Sequence, residues 1–223
     1  RMMQNDFGLI SIIMAAYNAE KTIEQAINSV LSQTYTNFEL LVVNDCSKDR
    51  TVELVKDIVA KDSRVRLISN VKNSGVSYTR KHGLEEAKGD WIAILDSDDA
   101  WEPEKLEKQI ELQRRTNADL LFTGSAFMDS EGHPIDWYLH APKEVTYRQL
   151  LKQNVLSNSS ALVRKELYAK HYAIGDGMHE DFAIWLSISV TWVVSPASSA
   201  VTPSGRSSAA SCGSSSRESS VVL

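Results

Sequence analysis

Trp91-Ile92-Ala93-Ile94-Leu95-Asp96-Ser97-Asp98-Asp99 sets five apolar residues directly against three carboxylates. So short and continuous a run of apolar residues reads as a strand covered on both faces, and the acids then stand where it leaves the sheet. Working outward, Leu9 to Ala16, Phe38 to Asn44 and Val65 to Ser69 have the same character, and each also runs into a polar turn. Helical patterns separate them. Ile23, Ala26, Ile27, Val30 and Leu31 share one face, Val52, Val55 and Val59 with Leu54 and Ile58 another, and a third helix from about Ser74 to Ala87 has a small face of Val76, Thr79, Gly83 and Ala87. A fourth is expected from Pro103 to about Arg115, with Leu106, Ile110 and Leu112 inward, since proline suits a first helical turn. This βαβαβαβ order predicts an α/β fold with a mainly parallel sheet, helices on both faces, and functional loops at the carboxyl ends of the strands.

Beyond residue 116 the pattern changes. Asp119 to Met128 reads as one strand, Asp129-Ser130-Glu131-Gly132 as a turn, and Thr146 to Ile188 as short helices with a strand near Ala161 to Arg164. The last 35 residues contain thirteen serines, and their only charges are Arg206, Arg217 and Glu218. Such a segment buries too little apolar surface to offset its ordering entropy. Residues 189–223 are therefore expected to be a disordered tail or a stretch outside the native reading frame.

Composition narrows the function. With 223 residues, 43% of them hydrophobic, the chain can build a full core. A net charge of -5 and a pI near 5.6 exclude a protein whose main work is neutralising nucleic-acid phosphates. Cys46 and Cys212 form no metal spacing or disulfide framework, which fits a reducing compartment. The apolar stretch Leu9 to Tyr17 is too short to span a bilayer and the start lacks signal-peptide order, so a cytoplasmic protein is expected, with peripheral membrane attachment left open.

Five clusters carry chemistry. Asp96, Asp98 and Asp99 at one strand exit need compensation, which either a hard divalent cation or a role in capping the next helix supplies. In Asn44-Asp45-Cys46-Ser47-Lys48-Asp49-Arg50-Thr51, Asp45 can accept from a nucleotide base edge, while Ser47 or Asp49 caps the following helix. At the end of the first strand, Tyr17 either lies against a flat base or simply packs, and Asn18 can cap the next helix. Asn73-Ser74-Gly75-Val76 with Arg80 offers backbone N–H groups and a guanidinium to an anion. In His179-Glu180-Asp181 the acids serve a helix dipole or supply a general base, with His179 as the alternative base.

Together these pieces resemble the family 2 glycosyltransferases, which have the GT-A fold, from about Leu9 to Ile188. The likeness runs through Ser11 to Asn18, Gln33-Thr34-Tyr35, Phe38-Glu39-Leu40, Asn44 to Thr51, Asn73-x-Gly75, Gly89-Asp90-Trp91-Ile92, Leu95 to Asp99, Trp101-x-Pro103-x-Lys105-Leu106-Glu107 and Glu180-Asp181, in the family's order. The resemblance implies a catalytic domain over residues 1–188, with a nucleotide-binding half to residue 116 and an acceptor-side half from 117. It also implies a UDP-sugar donor, Mn²⁺ or Mg²⁺, and inverting transfer to a glycan or lipid-linked sugar of the cell envelope. Ala15, Tyr17 and Asp45 would contact the base, with Asn18, Asn73, Gly75 and Ser97 around the nucleotide. Arg80 would lie near the diphosphate, Asp96 near the ribose or a metal-bound water, and Asp98 on the metal. Asp181, with Glu180 beside it, would be the base.

Cys46 departs from the family's common glycine, Thr79 and Lys81 from its alanine and asparagine, and nothing after Ile188 resembles its acceptor-side ending. Loops Ser157 to Ser160 and Gly175 to His179 are expected to face the acceptor. Two other enzyme classes fit less well: a sugar-nucleotide pyrophosphorylase needs a basic glycine-rich loop after the first strand, and a dinucleotide oxidoreductase needs Gly-x-Gly-x-x-Gly there. An inactive nucleotide-binding domain is the non-enzymatic alternative.

Overall fold

The structure is a computed structural model that describes residues 7–128, 134–142, 145–172, 180–189, 195–196 and 220–222. Its first half is β1 (Ile10–Ala16), α1 (Ile23–Leu31), β2 (Phe38–Asn44), α2 (Thr51–Val59), β3 (Val65–Ser69), α3 (Val76–Glu86), β4 (Trp91–Ile94), β5 (Ala100–Trp101) and α4 (Lys105–Thr116). The second half contributes β6 (Leu120–Phe122), β7 (Ser125–Met128), β8 (Pro134–Leu139), α5 (Tyr147–Lys152), a 3₁₀ turn (Asn158–Ser160), β9 (Leu162–Arg164), α6 (Lys165–His171), α7 (Glu180–Ser189), β10 (Ser195–Pro196) and β11 (Ser220–Val222).

β1 lies at the heart of the main sheet, whose order is β10-β6-β9-β4-β1-β2-β3. It pairs in parallel with β2 from Ile10↔Phe38 to Ala16↔Asn44 and with β4 from Ile10↔Trp91 to Ile13↔Ile94. The first four strands therefore run to the same edge of the sheet, where the polar turns that follow them gather. β9 runs antiparallel between β4 and β6, which brings the second half beside the acidic turn. A smaller sheet has the order β5-β11-β7-β8.

Burial explains the continuous apolar runs. Ile12, Met14, Leu40 and Val42 pack with Ile23, Ile27 and Val30 of α1 in one core layer, whereas Ile13, Leu41, Ile92 and Ile94 join Leu84 of α3 and Ile184 and Trp185 of α7 in the other. Successive strand residues thus feed opposite layers, and neither face is left to water.

Three boundaries differ from the sequence reading. The stretch read as one strand over Asp119 to Met128 is broken at Thr123-Gly124 into β6 and β7, which belong to different sheets. A Cβ on Gly124 would come within 3.0 Å of the Leu139 carbonyl oxygen, so the crossing is made where no side chain intrudes. α3 begins at Val76, not Ser74, and α4 begins at Lys105, not Pro103. Of the small face assigned to α3, Thr79, Gly83 and Ala87 are buried, while Val76 is 48% exposed. The turn expected at residues 129–132 and most of the 189–223 segment lie outside the described residues; of that segment, Ser189 ends α7, and β10 and β11 pair with β6 and with β5 and β7.

Gly83 allows α3 to lie directly on the sheet. A Cβ there would stand 2.6 Å from Ile13 Cγ2 and 3.2 Å from Val43 Cγ2, both in packed strands. Alanine gains about 1 kcal/mol in helix propensity but overpacks this contact by about 1–3 kcal/mol. The G83A variant is therefore expected to unfold at lower urea concentration than the wild type; an unchanged or higher midpoint would show that α3 can lift off the sheet without cost.

Candidate active site

Asp45 follows β2, and its carboxylate organises the loop ahead of α3. Oδ1 accepts from the Ser74 N–H and from Asn70 Nδ2, each at 2.8 Å, and Oδ2 accepts from the Gly75 N–H at 2.8 Å. Asn73 Nδ2 donates to the Asp45 carbonyl at 3.3 Å. Gly75 takes φ +81°, a left-handed conformation that glycine adopts at little cost. The two N–H groups that sequence reading aimed at an anionic ligand thus meet a carboxylate from the protein itself.

The neighbouring turn is tied in the same way. Asn18 does not cap α1; its Oδ1 accepts from the Lys48 N–H at 2.8 Å and its own N–H donates to Ser47 Oγ at 3.0 Å. Asp49 does serve the start of α2, accepting from the Thr51 N–H at 3.0 Å. Cys46, where the family commonly has glycine, holds φ +62°. Beside these turns β1 is buried at every position but Ala15, which is partly open, and Tyr17 just beyond is 49% exposed.

α3 links this loop to the acidic turn. Four residues into the helix, Arg80 is buried, with Nη1 donating to Glu180 Oε1 and Nη2 to Asp96 Oδ1. The Asn158 amide, with its oxygen facing the guanidinium, accepts from Nε at 3.2 Å and from Nη2 at 3.0 Å. Burial opposes the charge on Arg80, but Asp96 and Glu180 outweigh it and raise the guanidinium pKa. The group expected at a diphosphate is clamped between three side chains of the protein.

Asp96 opens a tight turn in which the Asp99 N–H donates to the Asp96 carbonyl at 3.1 Å. Ser159 pins both ends. Its Oγ accepts from the Asp96 N–H at 3.0 Å and donates to Asp99 Oδ2 at 2.6 Å, and its carbonyl accepts from Trp101 Nε1 at 2.8 Å. In the segment Ser157 to Ser160, Asn158, Ser159 and Ser160 are buried and scaffold the turn. Beneath it, Lys105 Nζ sits 3.9 Å from the Trp101 ring centroid and donates to Gln109 at 3.0 Å. Burial holds the Lys105 pKa well below that of an ordinary lysine.

Asp181 opens α7 beside Glu180. Burial raises its carboxyl above the usual carboxylate range; the Phe182 N–H at 2.7 Å and Arg80 oppose that shift, and Glu180 and Asp96 reinforce it. Tyr168 of α6 and Tyr172 just after it complete this surrounding, with Tyr172 pushed up to about 12 chiefly by burial. His179 and the loop Gly175 to His179 lie outside the described residues.

Among the described residues no group of three or more acidic, histidine or cysteine side chains is arranged to hold a metal. Asp96 and Asp98, on either side of Ser97, are partly buried at the strand exit. A pair of carboxylates suits a hard cation whose remaining positions are filled by phosphate oxygens and water. The sequence reading had grouped most of these residues; Asn70 and the bracing roles of Asn158 and Ser159 escaped it, because none stands in a periodic or motif position.

Residues 11–171 match the model of the family described as Glycosyl transferase family 2. The chain belongs to that family. This glycosyltransferase is 34% identical over 186 residues, 83% of its length and 74% of the relative's, to a Bacillus subtilis (strain 168) glycosyltransferase provisionally assigned to teichuronic acid biosynthesis. It is 37% identical over 180 residues, 81% of this chain and 69% of the relative, to an Escherichia coli enzyme named UDP-Glc:alpha-D-GlcNAc-diphosphoundecaprenol beta-1,3-glucosyltransferase. S. aureus TarS 1–349, crystallised with UDP, superposes with a TM-score of 0.70 at 25% identity, covering 86% of this chain and 58% of that one. A Pyrobaculum calidifontis mannosyltransferase bound to GDP-Man and Mn²⁺ gives 0.66 at 15% identity, over 86% and 55%. The glycosyltransferase has the GT-A fold of these neighbours.

Replacing Asp45 by alanine removes the acceptor of two backbone N–H groups and of one N–H of the Asn70 amide, whose nitrogen keeps its bond to Thr79. Hydrogen bonds to a charged acceptor contribute about 1.5–3 kcal/mol. The D45A variant is expected to lose at least that much unfolding free energy by urea titration, whereas a loss confined to ligand binding would show that the carboxylate does not hold the loop.

Proposed function

We propose that this glycosyltransferase moves a sugar from a UDP-sugar to a hydroxyl of a lipid-linked glycan in cell-envelope polysaccharide synthesis, with inversion at the anomeric carbon and with help from a divalent cation. The observation that carries the reading is Asp181, a carboxylate of raised pKa set beside the Arg80 ion cluster that reaches Asp96. A general base needs a pKa nearer the working pH than an ordinary aspartate has.

The partly open Ala15, the exposed Tyr17 and the adjacent Asp45 loop mark the ends of β1 and β2 as the place for a flat base. Asp96 and Asp98 would hold Mn²⁺ or Mg²⁺, which when bound neutralises negative charge on the departing diphosphate. Asp181 accepts the acceptor hydroxyl's proton as that oxygen attacks the anomeric carbon, the bond to the diphosphate breaks, and the bond pair leaves with UDP. One displacement inverts the centre, so no covalent sugar intermediate is formed. The named activity of the E. coli relative, UDP in the TarS crystal and Mn²⁺ in the Pyrobaculum neighbour support the acceptor, donor and cation respectively. No helix among the described residues is long and apolar enough to cross a membrane, and we place the enzyme on the cytoplasmic side, at the membrane face where a lipid-linked acceptor would be met.

Thermal shifts with a panel of nucleotide sugars, with and without Mn²⁺, test the donor, because a ligand of the native state raises its melting temperature. The D98A variant is expected to lose the Mn²⁺-dependent part of donor binding and at least ~100-fold in turnover. Metal-dependent kinetics like those of the wild type would remove Asp98 from the cation site.

D181N is expected to bind donor normally and lose about 10²–10⁴-fold in transfer. In the wild type, transfer falls as the pH drops through the raised pKa of Asp181, since the protonated carboxyl accepts no proton; that acid limb lies above the ~4 of an ordinary carboxyl. Transfer by D181N at the wild-type rate would refute the base assignment.

A further inference from the structure

Glu180 and Asp181 are adjacent in sequence but differ in environment. Glu180 is buried and its Oε1 receives Arg80 Nη1, while Asp181 is partly exposed and its Oδ1 receives the N–H of Phe182. Beyond the first turn, α7 is fixed by Ile184, Trp185 and Ile188, fully buried in the core layer shared with β4 and β9. Its first turn carries the polar pair, and there the described tie to the donor side is the Arg80 guanidinium. The same guanidinium grips Asp96 through Nη2, and Asn158 holds its remaining edge.

A buried ion pair adds little stability over apolar side chains of the same volume. What it adds is direction, because the planar fork of arginine holds its acceptors at fixed angles to one another. We propose that Glu180 is a positioning residue, not a base: through Arg80 it sets the first turn of α7, and so Asp181, at a fixed distance from the strand exit that carries Asp96. The assignment rests on the proposed role of Asp181 as base. It gives a use to an arginine and a glutamate that need touch neither donor nor acceptor, since their charges are spent on one another and on Asp96.

A misplacement of about 1 Å in a reacting group costs on the order of 10²-fold in rate. In E180Q the side chain keeps its length and one acceptor oxygen but loses the charge that holds the fork. We expect kcat, per folded enzyme and well below the melting temperature, to fall roughly 10- to 100-fold, with the donor KM within about twofold of the wild type. The double variant R80M/E180M replaces the pair with apolar side chains of similar length. Asp96 loses its partner too, but with its side chain 32% exposed it keeps access to water, so the variant is expected to melt near the wild-type temperature and still show the low kcat, a separation that a merely stabilising pair would not give.

Wild-type kcat in E180Q, or in R80M/E180M, overturns the positioning role; so does a parallel loss of donor affinity and kcat in E180Q, which would put Glu180 at the donor. The base assignment is judged separately by D181N. An inert D181N beside a fully active E180Q removes only the positioning role, whereas an active D181N removes the base on which it depends.

Discussion

A guanidinium buried among carboxylates holds the two halves of this enzyme together. Arg80 stands on α3, in the first half of the chain, and its partners are Asp96 at the exit of β4, Asn158 in the 3₁₀ turn and Glu180 at the start of α7. Each carboxylate alone would be costly to desolvate, and so would the arginine. Their mutual compensation makes the arrangement tolerable, and it requires that all four segments arrive at one point. The parallel sheet meets that requirement by ending β1, β2 and β4 on the same side and laying α3 across β1 and β2.

α3 itself is set from the opposite end by Asp45. Because that carboxylate receives the N–H groups of Ser74 and Gly75, the helix starts at Val76 and Arg80 falls just over one turn inside it. A residue first read as recognising a base therefore also fixes where the arginine sits. The Asp45 loop and the start of α7 are connected through one element, α3, with Thr79 and Gly83 seated against the sheet.

Much of this was legible in the amino-acid order. Continuous apolar runs gave the buried parallel strands, and the polar residues ending them gave the turns that carry Asp45, Gly75 and Asp96. Less legible was what those side chains would do once together. The pattern Asn73-Ser74-Gly75 looks the same whether its N–H groups await a phosphate or receive an internal aspartate, since the partner lies about thirty residues away. Arg80 and Glu180 are a hundred residues apart, and no periodicity relates them. The break at Gly124 was hidden for a local reason: Asp119 to Met128 has strand character throughout, and only the arrival of the Leu139 carbonyl shows why the chain changes sheets there.

The single hydroxyl of Ser159 has a wider implication. It belongs to the second half of the chain, yet it receives the Asp96 N–H and donates to Asp99, so the shape of the acidic turn is completed from outside the segment that encodes it. Chimaeras that exchange second halves between relatives would need to bring such a serine with them, in register with the strand that follows, or the transplanted enzyme would inherit a collapsed acidic turn.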